Sequence, residues 1–371
     1  MTARDLTPQP GAAAAADAQT LLASLRGALL AQALACASAP LEPLRDKGLA
    51  HHHVRLAGTG LVARLPKQSQ MGLPAQANLD YQRACFARAA ASGRTPRLHA
   101  VLPPSLHLPR GGLLVDEIVG RPAHLPDDLP AIADTLARIH ALPVPEPGAR
   151  APLLDAPDAV ASLADEIRAQ AVHLDAAQIH PRGRRVIDQA LAGLQQLCGA
   201  PERPPRRLIS FDAHPGNFIV RADGSAVLVD LEKARYSHPP LDLAHATLVT
   251  STTWDVETSA ELAPTQVAAF YRHWAACIAR LEGEHAAQAW PRWHVPLREA
   301  MWLWAVTWCA KWRVLSSRSA SASGDGEDWS REHSDDALIR HVRGRVDDYL
   351  SADRVEQVRD ERVELQRLIG R

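Results

Sequence analysis

The sequence feature that most constrains this chain is a pair of apolar, strand-like runs that enclose a short polar loop. The loop carries Asp212 and Asn217, and the second run, Val227–Val229, ends at Asp230. A carboxylate can accept the proton of an attacking hydroxyl, and amide and carboxylate oxygens can hold Mg²⁺. We therefore interpret Asp212 as a candidate catalytic base and Asn217 and Asp230 as candidate metal ligands.

The surroundings of this loop decide between a chemical and a purely structural interpretation. An isolated Asp-x-x-x-x-Asn is common in turns, where an Asx hydrogen bond explains it. Here, however, Pro215-Gly216 lies inside the loop, apolar residues precede it, and a second carboxylate follows the next strand. An Asp, four residues, an Asn and then a second Asp is the order of a kinase catalytic loop and metal-binding strand.

Three segments resemble the aminoglycoside phosphotransferase and choline kinase-like family. They are the loop Asp212–Asn217, the stretch Ala133–Leu142 and the stretch Pro239–Ala244, within a resemblance that covers roughly residues 45 to 275. The resemblance implies an α+β, protein-kinase-like fold with a small β-rich N-terminal lobe and a larger, mainly helical C-terminal lobe. It also implies an enzyme that moves the γ-phosphoryl group of ATP, or of GTP, to a hydroxyl of a small-molecule acceptor with Mg²⁺.

The resemblance also implies roles for individual residues. It makes Asp212 catalytic, gives Asn217 and Asp230 to the metal, and gives Arg64, Glu117 and Ile118 to the nucleotide. On the strand Leu61–Leu65, alternation favours Arg64 over Lys67 as the cation on the phosphates. The segment Lys47–His52 is expected to form the loop over those phosphates.

Two positions depart from the family pattern. Ser210 stands where a His normally lies two residues before the catalytic Asp, and the helix glutamate that pairs with the phosphate-binding cation is not evident. Gln82 or Asp80 lies near its place. Glu232 occupies a second acidic position whose role as a metal ligand is less secure.

The chain is expected to divide into a tail (1–18), a nucleotide-binding lobe (19–120), a catalytic and acceptor lobe (121–350) and a C-terminal tail (351–371). The patterns predict helices near 21–30, 75–91, 129–141, 157–172, 181–198 and 335–350, and a strand at 113–119. They also predict a β-hairpin around Gly58-Thr59-Gly60 and a surface loop at 316–328.

Composition narrows the partners and the compartment. The net charge is -1 and the arginines are scattered among acids, so nucleic acid is not expected as a partner. Five widely spaced cysteines without a Cys-x-x-Cys pair fit a reducing cytoplasm, and neither a secretory signal nor an apolar run of about 18 residues is evident. No membrane association is expected, and the oligomeric state is left open.

Several other interpretations compete with these. Gly58-Thr59-Gly60 imitates a dinucleotide-binding fingerprint, but that motif must open a helix, whereas a strand is predicted here. His51-His52-His53 could suggest a metal cluster, although neighbours on a strand face opposite ways. Asp242 is interpreted as a helix N-cap and His214 as a structural residue of the loop.

Two further alternatives concern activity. Ser210 and the absent glutamate motivate a kinase-like nucleotide-binding protein with weak or no turnover, and a protein kinase is disfavoured because little chain separates Asp230 from Asp242. The late tryptophans Trp302, Trp304, Trp308 and Trp312 indicate a packed helix, part of which could line an acceptor site.

Overall fold

The computed structural model describes residues 12–44, 50–316 and 336–370. Within them the chain forms two compact units. The first contains the described residues up to Arg83 together with Leu98–Glu117, and the second contains Ala84–Arg97 and the described residues from Ile118 onward. Residues 47–49 of the predicted phosphate loop therefore fall outside the described residues, and its last two residues begin β2. Nearly all of the predicted surface loop also falls outside them.

The first unit is built on one antiparallel sheet. Its elements are α1 (Ala12–Ala31), β1 (Leu41–Pro43), β2 (His51–Leu56), β3 (Leu61–Pro66), the start of α2 (Ala75–Ala89), β4 (Leu98–Leu102) and β5 (Gly112–Asp116). The strand order is β1-β2-β3-β5-β4. The sequence does not predict β1 and β4. Each strand is short, lacks a strong local sequence pattern, and is stabilised by hydrogen bonds to a neighbouring strand.

The predicted hairpin is confirmed as β2 and β3, with Leu56 paired to Leu61 across the turn. Gly58 and Gly60 have φ of 75° and 70°, values that glycine adopts without steric cost. The motif therefore joins two strands and does not open a helix. This geometry removes the dinucleotide-binding interpretation.

Alternation along β3 separates two faces. Ala63 and Leu65 belong to a buried cluster with Leu25 and Leu29 of α1, whereas Arg64 points to the other face. An amphipathic α1 therefore covers one side of the sheet, and Arg64 lies on the opposite side, beside Leu113 of β5.

The second unit is mainly helical. Its elements are β6 (Arg121–Pro122), α3 (Leu129–His140), α4 (Ala159–Ala171), α5 (Pro181–Gly199), β7 (Arg207–Ile209), β8 (Phe218–Val220), β9 (Ala226–Leu228), β10 (Arg235–Ser237), α6 (Pro240–His245), α7 (Val249–Thr252), α8 (Pro264–Glu282), α9 (Glu284–Ala287), α10 (Pro291–Leu315), α11 (Asp336–Tyr349) and α12 (Ala352–Ile369). Two small antiparallel sheets, β6-β8-β9 and β10-β7, lie among these helices.

The core of this unit forms where α10 meets α4, α5, α6 and α12. Ile187, Leu297, Leu303 and Val355 are buried in one apolar cluster there. Each Å² of buried apolar surface contributes about 25 cal/mol, so such a cluster is the main contribution to the stability of this unit. The long α10 is therefore the central helix on which the site-bearing elements pack.

Both predicted tails need correction. α1 begins at Ala12, so the chain is helical before residue 18, and residues 1–11 lie outside the described range. At the other end, Ser351 caps α12, which runs to Ile369 and buries Val355 and Leu365. Residues 351–371 are therefore not a tail, because Val355, Val358, Leu365 and Ile369 form a buried face of α12.

Candidate active site

The loop with the candidate base connects β7 to β8. β8 pairs antiparallel with β9, and the backbone N–H of Val229 donates to the carbonyl oxygen of Asn217 at 2.9 Å. Asp230 directly follows Val229. The strand pairing therefore brings the two candidate metal ligands, Asn217 and Asp230, to the same end of the small sheet.

Asp212 is largely buried and held by a lysine. Nζ of Lys233 donates to Oδ2 of Asp212 at 3.0 Å, and Nδ1 of His245 lies 4.0 Å from Oδ1. Burial disfavours the charged carboxylate, but Coulombic attraction from Lys233 keeps the pKa of Asp212 below its ordinary value. Asp212 is thus ionised at neutral pH, as a general base must be.

Sequence reasoning missed Lys233. Burial alone would lower the pKa of this lysine, but attraction from Asp212 and Glu232 raises it above the ordinary value, so the lysine is charged. A usable signal existed, because Lys233 is one of only four lysines and lies three residues after Asp230.

The carboxylate of Asp242 holds the loop that carries Asp212 through two backbone hydrogen bonds. Its Oδ2 accepts the backbone N–H of Ser210 and its Oδ1 accepts that of Phe211, both at 2.8 Å. Helix α6 is preceded by Pro239 as its N-cap, and no side chain caps it. The interpretation of Asp242 as a helix N-cap was therefore wrong, because Pro239 holds that position and the Asp242 carboxylate accepts hydrogen bonds from the loop that carries Asp212.

A buried relay supports Asp242. Nε1 of Trp274 donates to Nδ1 of His140 at 3.0 Å, and Nε2 of His140 lies 3.1 Å from Oδ2 of Asp242. An indole N–H can only donate, so Nδ1 of His140 is the acceptor and Nε2 carries the hydrogen. A neutral imidazole therefore donates to Asp242.

Ser210 fits its place without the family's usual histidine. Its Oγ accepts the backbone N–H of Asp212 at 3.2 Å, and its own N–H donates to Asp242. The serine thus takes part in the bonds that shape the loop on both sides of Phe211.

The loop turns tightly at Gly216. A Cβ at this position would come within 2.7 Å of Oδ2 of Asp255 and 3.0 Å of Cε1 of His214. Only glycine fits such a close approach. Burial lowers the pKa of His214 below its ordinary value, so this histidine is neutral and packs against the turn.

The residues at the predicted metal position have the right chemistry for Mg²⁺. Nδ2 of Asn217 donates to the backbone oxygen of Asp212 at 2.9 Å, which leaves the amide oxygen as its coordinating atom. Asp230 is half-buried, whereas Glu232 is buried. Mg²⁺ in phosphoryl-transfer sites binds one or two protein oxygens together with phosphates and water. The side chains of Asn217 and Asp230 can provide those protein oxygens.

In the first unit, Arg64 lies on the face of the sheet that is opposite α1. Its guanidinium donates to Nε2 of His53 at 3.3 Å, and Nε2 of His51 lies 3.1 Å from Oε1 of the buried Gln82. Of the two candidates for the missing glutamate, Gln82 is the one that turns inward. Asp80 instead accepts from Gln76 on the surface of α2.

Glu117 and Ile118 follow β5, where the first unit passes into the second. The backbone N–H of Glu117 donates to the carbonyl oxygen of Gly60 at 2.7 Å, and its carboxylate pairs with Arg55 at 2.7 Å. These contacts engage the side chain and N–H of Glu117 within the first unit.

The late tryptophans divide into two groups. Trp302 and Trp312 are buried in the core, as a packed helix predicts, whereas Trp304 and Trp308 are half-buried. Trp304 meets Phe211 edge to face at 5.3 Å. One of the half-buried tryptophans therefore lies beside the loop that carries Asp212.

Three buried histidines predict a stability that falls in mild acid. Burial lowers the pKa of His238 and of His245 to about 4 and that of His294 to about 3. Below about pH 6.5 these histidines bind protons in the unfolded chain but not in the folded chain. Each histidine should therefore lower the unfolding free energy by about 1.4 kcal/mol for each pH unit that the pH falls. Urea denaturation at pH 7 and pH 5 measures the slope.

The variant His294→Gln provides the check on that slope. Since it removes one of the three buried groups, its unfolding free energy should decline less steeply than that of the parent between pH 6.5 and 4. Equal slopes would mean that His294 does not resist protonation in the folded state.

The chain matches a known protein family over more than half of its length. The sequence profile described as the phosphotransferase enzyme family matches residues 44–279. No curated protein sequence matches the chain significantly. Among the described residues, no helix is both long and apolar enough to span a bilayer.

Solved structures share the fold at low identity. A choline/ethanolamine kinase family protein from Mesorhizobium loti is 16% identical, with 94% of this chain and 99% of that chain covered and a TM-score of 0.56. A GDP complex of an aminoglycoside 2'-phosphotransferase is 15% identical, with 92% and 97% covered and a TM-score of 0.51. Choline kinase from Cryptosporidium parvum is 12% identical, with 95% and 100% covered and a TM-score of 0.52.

These likenesses confirm the predicted α+β, protein-kinase-like fold with a small β-rich lobe and a larger helical lobe. The profile match spans more than half of the chain and confirms the predicted enzyme class, a phosphotransferase. The chain therefore belongs to the phosphotransferase enzyme family.

Proposed function

We propose that this protein transfers the γ-phosphoryl group of ATP or GTP to a hydroxyl group of a small molecule, with Asp212 as the general base. The observation that carries the proposal is the environment of Asp212, an ionised, largely buried carboxylate 3.0 Å from Nζ of Lys233. Asn217 and Asp230, brought together at the adjacent strand end, are the proposed ligands of Mg²⁺.

The chemistry assigns each group one task. The carboxylate of Asp212 accepts the proton of the acceptor hydroxyl. At the same time the hydroxyl oxygen forms a bond to the γ-phosphorus, and the bond from that phosphorus to the leaving diphosphate breaks. Lys233 keeps Asp212 ionised and fixes one of its oxygens. Bound Mg²⁺ supplies charge neutralisation on the phosphates.

A nucleotide-binding protein without turnover is the alternative. It is motivated by Ser210 and by the missing helix glutamate. The serine takes part in the hydrogen bonds of the loop instead of leaving a gap, which favours an active enzyme. Gln82 pairs with His51, so the missing glutamate still motivates the alternative.

The acceptor is sought among hydroxyl compounds, since the solved relatives include choline, ethanolamine, aminoglycoside and macrolide kinases or phosphotransferases. The test is a screen of such alcohols with purified protein, labelled ATP or GTP, and Mg²⁺. Transfer that disappears in Asp212→Ala supports the proposal. Nucleotide binding with neither transfer nor hydrolysis across the panel would favour the alternative.

The proposed metal ligands predict a shifted Mg²⁺ requirement. Asn217→Ala and Asp230→Ala each remove a hard oxygen donor, so half-maximal activity should need roughly tenfold more Mg²⁺ or activity should be lost. The measurement is a Mg²⁺ titration of phosphoryl transfer. Asp223→Ala, on the exposed turn between β8 and β9, is the matched control, and two variants that titrate like it would move the metal elsewhere.

The proposed phosphate contact predicts unequal effects of two neighbouring cations. Arg64→Ala should raise the apparent ATP constant severalfold or lower turnover, because a guanidinium can grip two phosphate oxygens at once. Lys67, which follows the end of β3, should tolerate alanine. Parallel ATP titrations decide, and the reverse ranking would give the phosphates to Lys67.

A further inference from the structure

We propose that Glu166, through Arg235, positions the catalytic loop, and this inference rests on the proposed function. The four residues Glu166, Arg235, Phe211 and Trp304 are called the Arg235 clamp. None of them belongs to the proposed set of base and metal ligands. The clamp grips the loop at Phe211, the residue before the base.

Phe211 needs such a grip because its backbone is strained. Its φ is 57°, in the left-handed region, which costs a residue with a Cβ roughly 1–2 kcal/mol. Residues hold such conformations only where their surroundings over-determine them. The bond from its N–H to Asp242 fixes the backbone on one side.

The side chain of Phe211 is fixed from two directions. Cζ of Arg235 lies 3.7 Å from the ring centroid, on the ring face. The indole of Trp304 meets the same ring at 5.3 Å with an interplanar angle of 82°. A cation on the face and an aromatic edge are both attractive contacts, worth roughly 0.5–2 kcal/mol each.

Glu166 connects the two groups that hold the ring. Its Oε1 accepts from Arg235 at 2.6 Å and its Oε2 accepts from Nε1 of Trp304 at 3.2 Å. One carboxylate on α4 therefore orients both the guanidinium and the indole. Without its charge, the guanidinium would lose the partner that keeps it flat on the ring.

Arg235 also reaches the second segment of the site. Its Nε donates to the backbone oxygen of Lys233 at 3.4 Å. The clamp thus contacts the residue before Asp212 and the residue whose ammonium holds Asp212. A shift of Arg235 would move the base and its lysine relative to each other.

The test combines backbone exchange with kinetics in the full-length protein. The variants are Glu166→Gln and Arg235→Met, and the control is Glu282→Gln. Glu282 pairs with Arg207 at the start of β7 at 3.1 Å, with both side chains 23% exposed, so the control also breaks an ion pair next to the loop. ATP hydrolysis with water as acceptor supplies the kinetic readout.

Hydrogen–deuterium exchange in residues 208–217 should quicken roughly tenfold in both clamp variants and stay at the parental rate in the control, since a charge-assisted hydrogen bond is worth at least the tenfold equivalent of about 1.4 kcal/mol. Turnover should fall by a similar factor, while the apparent ATP constant changes less than twofold. That division separates a positioning role from general destabilisation.

Equal exchange in Glu166→Gln and Glu282→Gln would overturn the inference, as would a loss that appears only in the ATP constant. If the parent protein shows neither transfer nor hydrolysis, the proposed function fails, and the exchange comparison still decides whether the clamp orders the loop.

Discussion

Asp212→Asn is expected to lower turnover by roughly 10²-fold or more while leaving nucleotide affinity nearly unchanged. An amide has the shape of the carboxylate but cannot accept the proton of the attacking hydroxyl, and general-base catalysis contributes about 10² to 10⁴ in rate. The lysine also loses its charged partner, 3.0 Å away in the parent. Steady-state kinetics and equilibrium nucleotide binding measure the two quantities separately.

The control for this variant is Asp223→Asn, on the exposed turn between β8 and β9, where the carboxylate accepts hydrogen bonds from Ser225. It changes the same functional group in the same strand–loop–strand unit. Turnover of Asp212→Asn equal to that of the control would remove Asp212 from the role of base.

Asp242→Ala is expected to destabilise the second unit by at least about 3 kcal/mol. Alanine would strand the N–H groups of Ser210 and Phe211 and the Nε2–H of His140 in a buried site. Each unsatisfied buried donor costs about 1–3 kcal/mol. Urea denaturation compared with the parent gives the change in unfolding free energy.

The size of that change discriminates two roles for Asp242. Loss of a helix N-cap costs at most about 2 kcal/mol, so a value below this would return Asp242 to the capping interpretation. Asp165→Ala, an exposed acid of α4, is the control and should change stability by less than about 0.5 kcal/mol.

Features of the fold that depend on local chemistry could be predicted from the sequence. The β2–β3 hairpin follows from glycines that supply positive φ, and α3 and α5 follow from apolar spacing. The helix over 351–371 could not be predicted in the same way, because its charged surface hides a narrow apolar stripe that acquires meaning only against α5 and α8.

The site divides along the same line. Asp212, Asn217 and Asp230 share one strand–loop–strand unit, so their proximity is readable from spacing. Asp242 accepts the backbone N–H of Ser210, 32 residues earlier, and His140 binds Asp242, 102 residues later. Only the assembled helices determine those partners. Lys233 lies between these cases, near in sequence to Asp230 but turned toward Asp212 by the start of β10.

The position of α10 and α12 in the core sets a limit on how this protein can be shortened. A gene fragment that stops where the family profile stops, at residue 279, would omit both helices. The apolar faces of α4, α5 and α6 would then lie open to water and invite aggregation. The segment that the family profile matches is thus smaller than the segment that has to fold together.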